Sequence, residues 1–426
     1  MKVKLKKYKY GNALLLLAFY VLLSILHFNY IIDFQDFKFI AYYDKIEFSF
    51  TPIRYFIAST AIGAYILILL VAKVSDFMYA MLILILFFFL IPSALVFSSG
   101  YVVYPAIFIL HNFLFLFVYA FSFIDWKFKT PAFNTKQSLY FLFAISLVGI
   151  IPFVVEYGPY INIKNLLLID IYKTRSLVTE NISNLYTAYT YSWFSKIIIP
   201  ILVVLCIYHR KYIKLTITAA LLAFLFLCGA HKMVFAGLGL LFIFYKYDYV
   251  KKIRYFIGFI VSLLVISLAA SILFDYDYIW DISFRRALML TALLDYCYFD
   301  FFQGNPLYYS HSFLSSFIEY PYELTPDNMI GKVYYGRPEA NVNIGIISDG
   351  YKNLGILGSF LNIIIVAVYI SILNYLKISP KFFGLFVLLI FSFLNSSLTT
   401  ILLTHGGFVL MILAIFALRN TQSKMV

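Results

Sequence analysis

Two residues in the last third of the chain could act as a general base. His311 lies between two serines just after a QGNP turn, and Asp349 lies in the stretch SDGY. Histidine titrates near pH ~6.5, which suits proton transfer from a hydroxyl, whereas a carboxylate is a weak base unless its surroundings are buried. We therefore predict His311 as the base and Asp349 as the alternative. The structural alternatives are a backbone hydrogen bond for His311 and a helix-capping role for Asp349.

Cationic and amide side chains recur in the same kind of segment, between apolar runs. Arginine binds phosphate oxygens in a bidentate manner and lysine supplies a compact charge, so this set predicts a pyrophosphate or glycan site. Pairing with nearby acids or lipid phosphates is the alternative. The adjacent Arg285 and Arg286 favour an anion, because neighbouring like charges repel. The predicted binding residues are Lys173, Arg175, His231, Lys232, Arg285, Arg286, Arg337 and Asn341.

The composition shows what must position these residues. The chain has 426 residues, of which 63% are hydrophobic and 12% charged, against roughly 25% charged in soluble domains. Apolar runs recur along its whole length, and each is about long enough to cross a membrane as a helix. We expect an all-α, polytopic transmembrane bundle that forms a single integral membrane domain over residues 1–426.

The apolar runs predict about twelve helices with both termini cytoplasmic. On this layout the cytoplasmic segments carry a net charge of +17 and the outer segments −4, as the positive-inside rule requires. The lysine-rich start and the apolar run after it are interpreted as a retained first helix. The predicted helices span 11–30, 55–72, 77–96, 103–123, 138–156, 193–208, 213–229, 232–247, 255–274, 354–375, 382–397 and 402–418.

Two outer segments are long, at 157–191 and 275–353, whereas every cytoplasmic loop is short. Function concentrates in loops that a scaffold positions, so we expect the site on the outer face. Residues 283–302 have helical spacing and predict a helix that lies at the membrane interface or packs over the bundle. Aromatic residues are dense in this loop and fit either interfacial anchoring or sugar stacking.

Other signals exclude several classes of protein. The net charge is +13, and the basic residues lie in short segments between apolar runs. Membrane topology therefore explains this charge better than nucleic-acid binding does. No nucleotide-binding, metalloprotease or serine-hydrolase motif is present, and neither the three cysteines nor the histidines have metal-site spacing. We therefore expect no metal and no cofactor. His111, beside Asn112 in mid-helix, predicts an interhelical hydrogen bond.

Several stretches give the chain a family resemblance. With its aromatic-rich, multi-pass layout, it resembles the bacterial O-antigen and capsule repeat-unit polymerases of the Wzy type. The stretches that carry the likeness are IYKTRSL, GAHKMVFAGL, SFRRALMLTALLDYCYFDFFQGNP, EANVNIGIISDGYKNLGILG and NSSLTTILLTHGG.

The resemblance implies a metal-independent, inverting glycosyltransferase of the GT-C-like class in the bacterial inner membrane. Such enzymes polymerise oligosaccharide repeat units linked to undecaprenyl pyrophosphate, at the outer face, for surface polysaccharide and lipopolysaccharide biosynthesis. The implied partners are these lipid-linked glycans, membrane lipid, a chain-length regulator and a flippase.

Two other functions fit the same sequence. An O-antigen ligase shares the architecture and the chemistry but uses a different acceptor. A polysaccharide flippase or other transporter should show charges or broken helices in mid-membrane, and the sequence offers few candidates there, mainly His111 and Asn112.

Overall fold

The structure is a computed structural model that describes residues 2–33, 50–99, 105–127, 133–167, 170–182, 184–229, 239, 245–340 and 342–419. Within these ranges every regular element is a helix, which confirms the all-α fold class. Eight helices in this part of the chain are long and apolar enough to cross a membrane, and three shorter apolar helices accompany them. The count of twelve stays a prediction, because 232–247 falls almost entirely outside the described ranges.

The helices differ from the predicted ones mainly at their ends. In chain order they are α1 (Lys2–Asp33), α2 (Pro52–Val71), α3 (Asp76–Ser98), α4 (Pro105–Phe121), α5 (Thr135–Tyr160), α6 (Ile171–Asn181), α7 (Leu185–Tyr208), α8 (Tyr212–Gly229), α9 (Tyr249–Phe274), α10 (278–301), α11 (Pro326–Tyr335), α12 (Ile346–Tyr375), α13 (Pro380–Asn395), α14 (Leu398–Leu402) and α15 (Gly407–Leu418).

Contacts group the chain into two compact units. Unit 1 comprises Met1–Ile124, Asp248–Ile372 and Ile390–Leu398; unit 2 comprises Asp125–Tyr247, Leu373–Leu389 and Thr399–Val426. This grouping does not test the prediction of a single membrane domain. Unit 1 contains both candidate bases, His311 and Asp349.

Helix α3 is the central helix of unit 1. Ser75 caps it by accepting a hydrogen bond from the Met78 N–H at 3.0 Å, and every residue from Phe77 to Val96 is buried. A helix that is apolar on all sides packs inside a bundle. It contacts α1, α2, α4, α9 and α10, so these helices surround it.

Hydrogen bonds at the helix ends define two ends of unit 1. At the upper end, α1 and α3 end while α2 and α4 begin: His27 Nε2 lies 2.8 Å from Ser99 Oγ, and the Thr51 N–H donates to the Ser98 carbonyl at 3.0 Å. At the lower end α1, α3 and α9 begin, and Asn12 Nδ2 donates to the Val250 carbonyl at 3.4 Å. Helices α1 and α9 therefore run in the same direction.

Helix α10 is the helix predicted at 283–302. It starts earlier, at Tyr278, and its Asp281–Met289 stretch is π-helical. All residues from Thr291 to Phe299 are buried, and the helix packs on the upper part of α3 and on α11. Neither predicted arrangement fits fully: the burial from Thr291 to Phe299 places this stretch inside unit 1, rather than flat at the interface or over the top of the bundle.

Helix α12 is a hairpin of two helical segments rather than one straight rod. Leu354 and Gly355 leave the helical conformation, and Gly355 adopts φ 63° and ψ −152°. The side-chain amide of Asn362 donates to the Ile346 carbonyl at 2.8 Å. In a straight helix, residues sixteen apart are separated by roughly 24 Å. The short segment 346–353 therefore folds back against the longer segment 356–375.

The hairpin is packed closely at its crossing. Ser359 Oγ donates to the Ile347 carbonyl at 2.8 Å, and the backbones of Gly350 and Gly358 touch, leaving no room for a Cβ on either. The predicted start of the tenth helix at 354 thus falls at the turn, and Asp349 lies inside a helical segment, not just before one. The predicted boundary was wrong because the short segment is too polar and too brief to register as a span.

Unit 2 is built from α5 to α8 and α15. Asn134 and Gln137 form a capping box at the start of α5, where two orphan N–H groups are satisfied reciprocally. The Tyr191 hydroxyl of α7 donates to the Leu225 carbonyl of α8 at 2.9 Å, and Gly149 leaves the space that the Phe194 ring fills. The predicted outer segment 157–191 contains α6 and the first residues of α7.

Candidate functional site

A buried polar network joins three helices at the upper end of unit 1. His111 of α4 places Nε2 3.4 Å from Asp295 Oδ2 of α10, and Ser348 of the short α12 segment donates its hydroxyl to Asp295 Oδ1. His111, Asp295 and Ser348 are all almost fully buried. His111 lies six residues into α4, so the network sits about 9 Å below the upper end.

The hydrogen-bond geometry fixes a proton in this network. His111 Nδ1 lies 2.8 Å from the Ile107 carbonyl, and because a carbonyl only accepts, Nδ1 carries a hydrogen. Nε2 faces the Asp295 carboxyl at 3.4 Å. The pair is consequently a buried contact between two side chains that can each carry a proton.

Asp349 occupies the next position along the hairpin. Its Oδ2 accepts the Leu398 N–H at 3.0 Å, and its Oδ1 lies 3.4 Å from Lys352 Nζ and 3.3 Å from Asn353 Nδ2. The predicted capping role is thus present, but Asp349 caps the first residue of α14 rather than its own helix. The carboxylate is buried, as a base made from aspartate would require.

A loop covers the top of the hairpin. The Leu307 N–H donates to the Lys352 carbonyl at 2.8 Å, and the Tyr308 N–H to the Asn353 carbonyl at 3.0 Å. These bonds satisfy carbonyls that the end of a helix leaves open. Tyr308 and Tyr309 adopt left-handed conformations, with φ 48° and 60°, which turn the chain toward His311.

His311 stands on this covering loop and is mostly exposed. Its ring centroid lies 4.7 Å from that of Tyr320. Partial burial and the charge of Lys352 lower the pKa of His311 below its usual 6.5, and Asp327 opposes them. The imidazole therefore stays neutral, and able to accept a proton, at a lower pH than an ordinary histidine.

Aromatic rings line the space beside His311. Tyr320 and Tyr322 lie 5.7 Å apart by ring centroid, and Tyr322 lies 5.7 Å from Phe301 of α10. Burial, followed by the neighbouring Tyr322 and Asp327, raises the pKa of Tyr320 to about 12, so its hydroxyl stays a neutral donor. Such rings can stack on the C–H face of a sugar.

The predicted arginines of unit 1 have different surroundings. Arg285 donates from Nε to Asp281 Oδ1 at 2.7 Å, one helical turn earlier. Arg286 and Arg337 are exposed. The anion inferred from the adjacent Arg285 and Arg286 is therefore provided, for Arg285, by Asp281 of the same helix, and Arg286 is the freer of the two for an external phosphate.

The remaining predicted residues belong to unit 2 or lie outside the described ranges. Lys173 and Arg175 lie on α6 of unit 2, where Lys173 is exposed and Arg175 is half-buried and interacts electrostatically with Tyr191. The other three predicted binding residues, His231, Lys232 and Asn341, lie outside the described ranges.

Sequence reasoning missed the buried network itself. His111 was expected to make an interhelical hydrogen bond, and its contacts with Ser93 at 3.3 Å and with Asp295 confirm this. Asp295 was one of ten carboxylates in the predicted outer segment 275–353 and carried no local signal. Its place in an otherwise apolar stretch, ALLDYC, could have marked it, because a carboxylate there must find a partner.

Comparison with known proteins found no match among family models, curated proteins or solved structures.

Proposed function

We propose that this protein is a repeat-unit polymerase that transfers glycans from a lipid pyrophosphate at the upper end of unit 1. The observation that supports this most is the α12 hairpin, which carries Ser348 and Asp349 down to the buried Asp295 beneath an aromatic-lined surface. Inverting transfer needs a base for the acceptor hydroxyl and cations for the departing phosphate. His311 or Asp349 supplies the first, and Arg286 and Arg337 contribute to the second.

The charge distribution of unit 1 supports an outward-facing upper end. The lower end carries Lys9, Lys73, Lys251, Lys252 and Arg254, and basic residues concentrate on the cytoplasmic side. Of the acids of this unit that the structure describes, only Asp76 and Asp248 lie at the lower end. An outer active site matches the side on which flipped lipid-linked glycans become available.

Deletion in the native host, followed by electrophoresis of surface glycans, tests this proposal. A glycan limited to a single repeat unit is the expected result. Loss of all lipid A-linked glycan would favour a ligase or a flippase instead, and an unchanged pattern would reject all three.

A transporter is the second candidate, because two observations match what it requires. The His111–Asp295 pair places two ionisable side chains in contact inside the bundle, and α12 is broken at Leu354 and Gly355. Intramembrane ionisable groups and interrupted helices are typical of transport sites. Accumulation of unflipped lipid-linked repeat units in the deletion strain would favour this alternative.

The topology predicts which positions react with a membrane-impermeant thiol reagent in intact cells. Single cysteines at Glu339 and Asn184 should be labelled, and those at Asn134 and Lys377 should be protected; all four positions are exposed on the protein surface. Lys377 is a better probe than Ser379 in the same loop, because Ser379 is buried and would resist labelling from either side of the membrane.

The native cysteines give a low background, since Cys206, Cys228 and Cys297 are free but buried. Permeabilised cells provide the control, because they should label all four probes. Labelling of the second pair in intact cells would place Asn134 and Lys377 outside and contradict the predicted topology.

Replacement of Arg286 by alanine is expected to lower polymerisation roughly ten- to a hundredfold, because desolvated charge-assisted contacts with phosphate are strong. Arg286→Lys should recover only part of the rate, since lysine lacks the bidentate fork. Lys332→Ala removes an exposed cation from α11 and is the matched control. Equal rates in the Arg286→Ala and Lys332→Ala proteins would exclude Arg286 from the site.

A further inference from the structure

A groove between α1 and α9 opens at the lower end of unit 1, far along both helices from the candidate site. Its cavity measures about 560 Å³. Small residues on both helices form part of its lining, and larger apolar residues stand beside them. The lining residues are Gly11, Leu14, Leu15, Ala18, Arg254, Tyr255, Gly258 and Phe259.

The small residues keep the groove open. Among the described residues, Leu15 alone comes within 4 Å of where a Cβ on Gly258 of α9 would be, at 3.9 Å. Leu14 and Phe259 are 68% and 61% exposed and form its rims. From Gly11 to Ala18 the groove runs seven residues along α1, or about 10 Å, which is enough to hold the first part of an acyl chain.

The groove is apolar except at one end, where two cations lie. The Arg254 guanidinium packs over Gly11, 2.9 Å from where a Cβ would be, and both Arg254 and Lys251 lie 5.5 Å from the Tyr8 ring. Within the described part of the chain, no carboxylate forms an ion pair with either cation. Asp248, the nearest acid on α9, accepts the backbone N–H of Lys251 at 2.8 Å.

The position of the cations matches the level of lipid headgroups. The apolar span of α1 begins at Tyr8, and α9 begins at Tyr249, so both cations lie within two turns of the start of a span. Basic pockets between helices at this level bind phosphate headgroups, and each cation attracts an anionic lipid surface. The tyrosine beside them is typical of the same boundary.

We propose that the groove between α1 and α9 binds an anionic phospholipid, with its phosphate on Arg254 and Lys251 and an acyl chain along Gly258 and Ala18. A transmembrane helix of another protein is the competing occupant, because small residues permit close helix approach. The isolated cations at one end of an otherwise apolar groove favour a ligand with one charged end, which a phospholipid has and an apolar helix lacks.

Native mass spectrometry of the purified full chain tests this directly, with phosphatidylglycerol, cardiolipin and phosphatidylcholine added in turn. We expect the two anionic lipids to bind in preference to phosphatidylcholine. Arg254→Gln should weaken anionic-lipid binding about fivefold, and Gly258→Leu should weaken it by filling the groove. Lys73→Gln, an exposed cation at the same end, and Gly63→Leu, a glycine of α2 with open space around it, are the matched controls.

Equal binding of all three lipids, or equal losses in the control variants, would overturn the proposal. A dimer that Gly258→Leu disrupts without any dependence on headgroup would assign the groove to a helix instead. Thermal unfolding of each variant in detergent identifies loss of fold, and Arg254→Lys, which keeps the charge, should retain most binding. The readout does not depend on glycan transfer, so it remains informative if the polymerase proposal fails.

Discussion

Replacing His311 with alanine is expected to lower repeat-unit transfer by roughly a hundredfold to ten-thousandfold, the usual contribution of a positioned base. The side chain is mostly exposed on a loop, so its removal should leave the fold and donor binding intact. The measurement is single-turnover transfer in reconstituted membranes, with lipid-linked donor binding measured separately.

The pH profile gives this prediction a second readout. Partial burial and Lys352 lower the pKa of His311 below 6.5, so the neutral base persists and the acid limb of the wild-type profile should lie below that value. Lys352→Gln removes the positive neighbour, which raises the pKa of His311 and should move the limb to higher pH. An acid limb that does not move in Lys352→Gln would show that the pH profile does not report the titration of His311.

Asp349→Asn decides between the two candidate bases. Asparagine can still accept the Leu398 N–H through its oxygen, so the cap of α14 should persist. Normal turnover in His311→Ala, together with loss of turnover in Asp349→Asn, would make Asp349 the base. The opposite pattern is the one we expect.

Two substitutions of Asp295 should distinguish a structural role of its carboxyl group from a role in holding a proton. Asp295→Ala leaves His111 and Ser348 buried without their shared partner, and we expect it to lower the free energy of unfolding by roughly 3–5 kcal/mol. Asp295→Asn offers an oxygen to Ser348 and an amide hydrogen to His111 Nε2. It therefore keeps the hydrogen bonds of the network but has no titratable carboxyl proton, and should cost about 1 kcal/mol or less.

Chemical unfolding in mixed micelles compares the two variants, and transfer assays follow on those that remain folded. A stable but inactive Asp295→Asn protein would show that the proton matters for function, whether transfer or transport. A stable and active one would make Asp295 a structural residue. Asp295→Ala with wild-type stability would contradict the network itself.

Much of the fold followed from hydropathy because long apolar helices carry a strong periodic and compositional signal. Helix α3 was predicted at 77–96 and spans Asp76–Ser98. The hairpin escaped because the segment before its turn, IISDGYKN, is short and half polar, so its burial depends on partners distant in the sequence. Tertiary contacts, such as the hydrogen bond from Ser359 to Ile347, produce no periodic pattern in the sequence.

The candidate site was predicted unevenly for a related reason. The partner of Arg285 lies four residues earlier at Asp281, a spacing that the sequence displays and that favours an ion pair on one helix face. The repulsion between the adjacent Arg285 and Arg286 pointed instead to an external anion. His111 and Asp295, in contrast, lie 184 positions apart, and only the packing of α4 against α10 could reveal that they meet.

The α12 hairpin also constrains how the protein is assembled in the membrane. A segment of eight residues is far shorter than the roughly 20 that partition into a bilayer as a helix, and 346–353 carries Asp349 and Lys352. It cannot enter lipid independently and must dock after the surrounding helices have gathered. Biogenesis should therefore end with the docking of this segment, and the buried polar network forms only at that last stage.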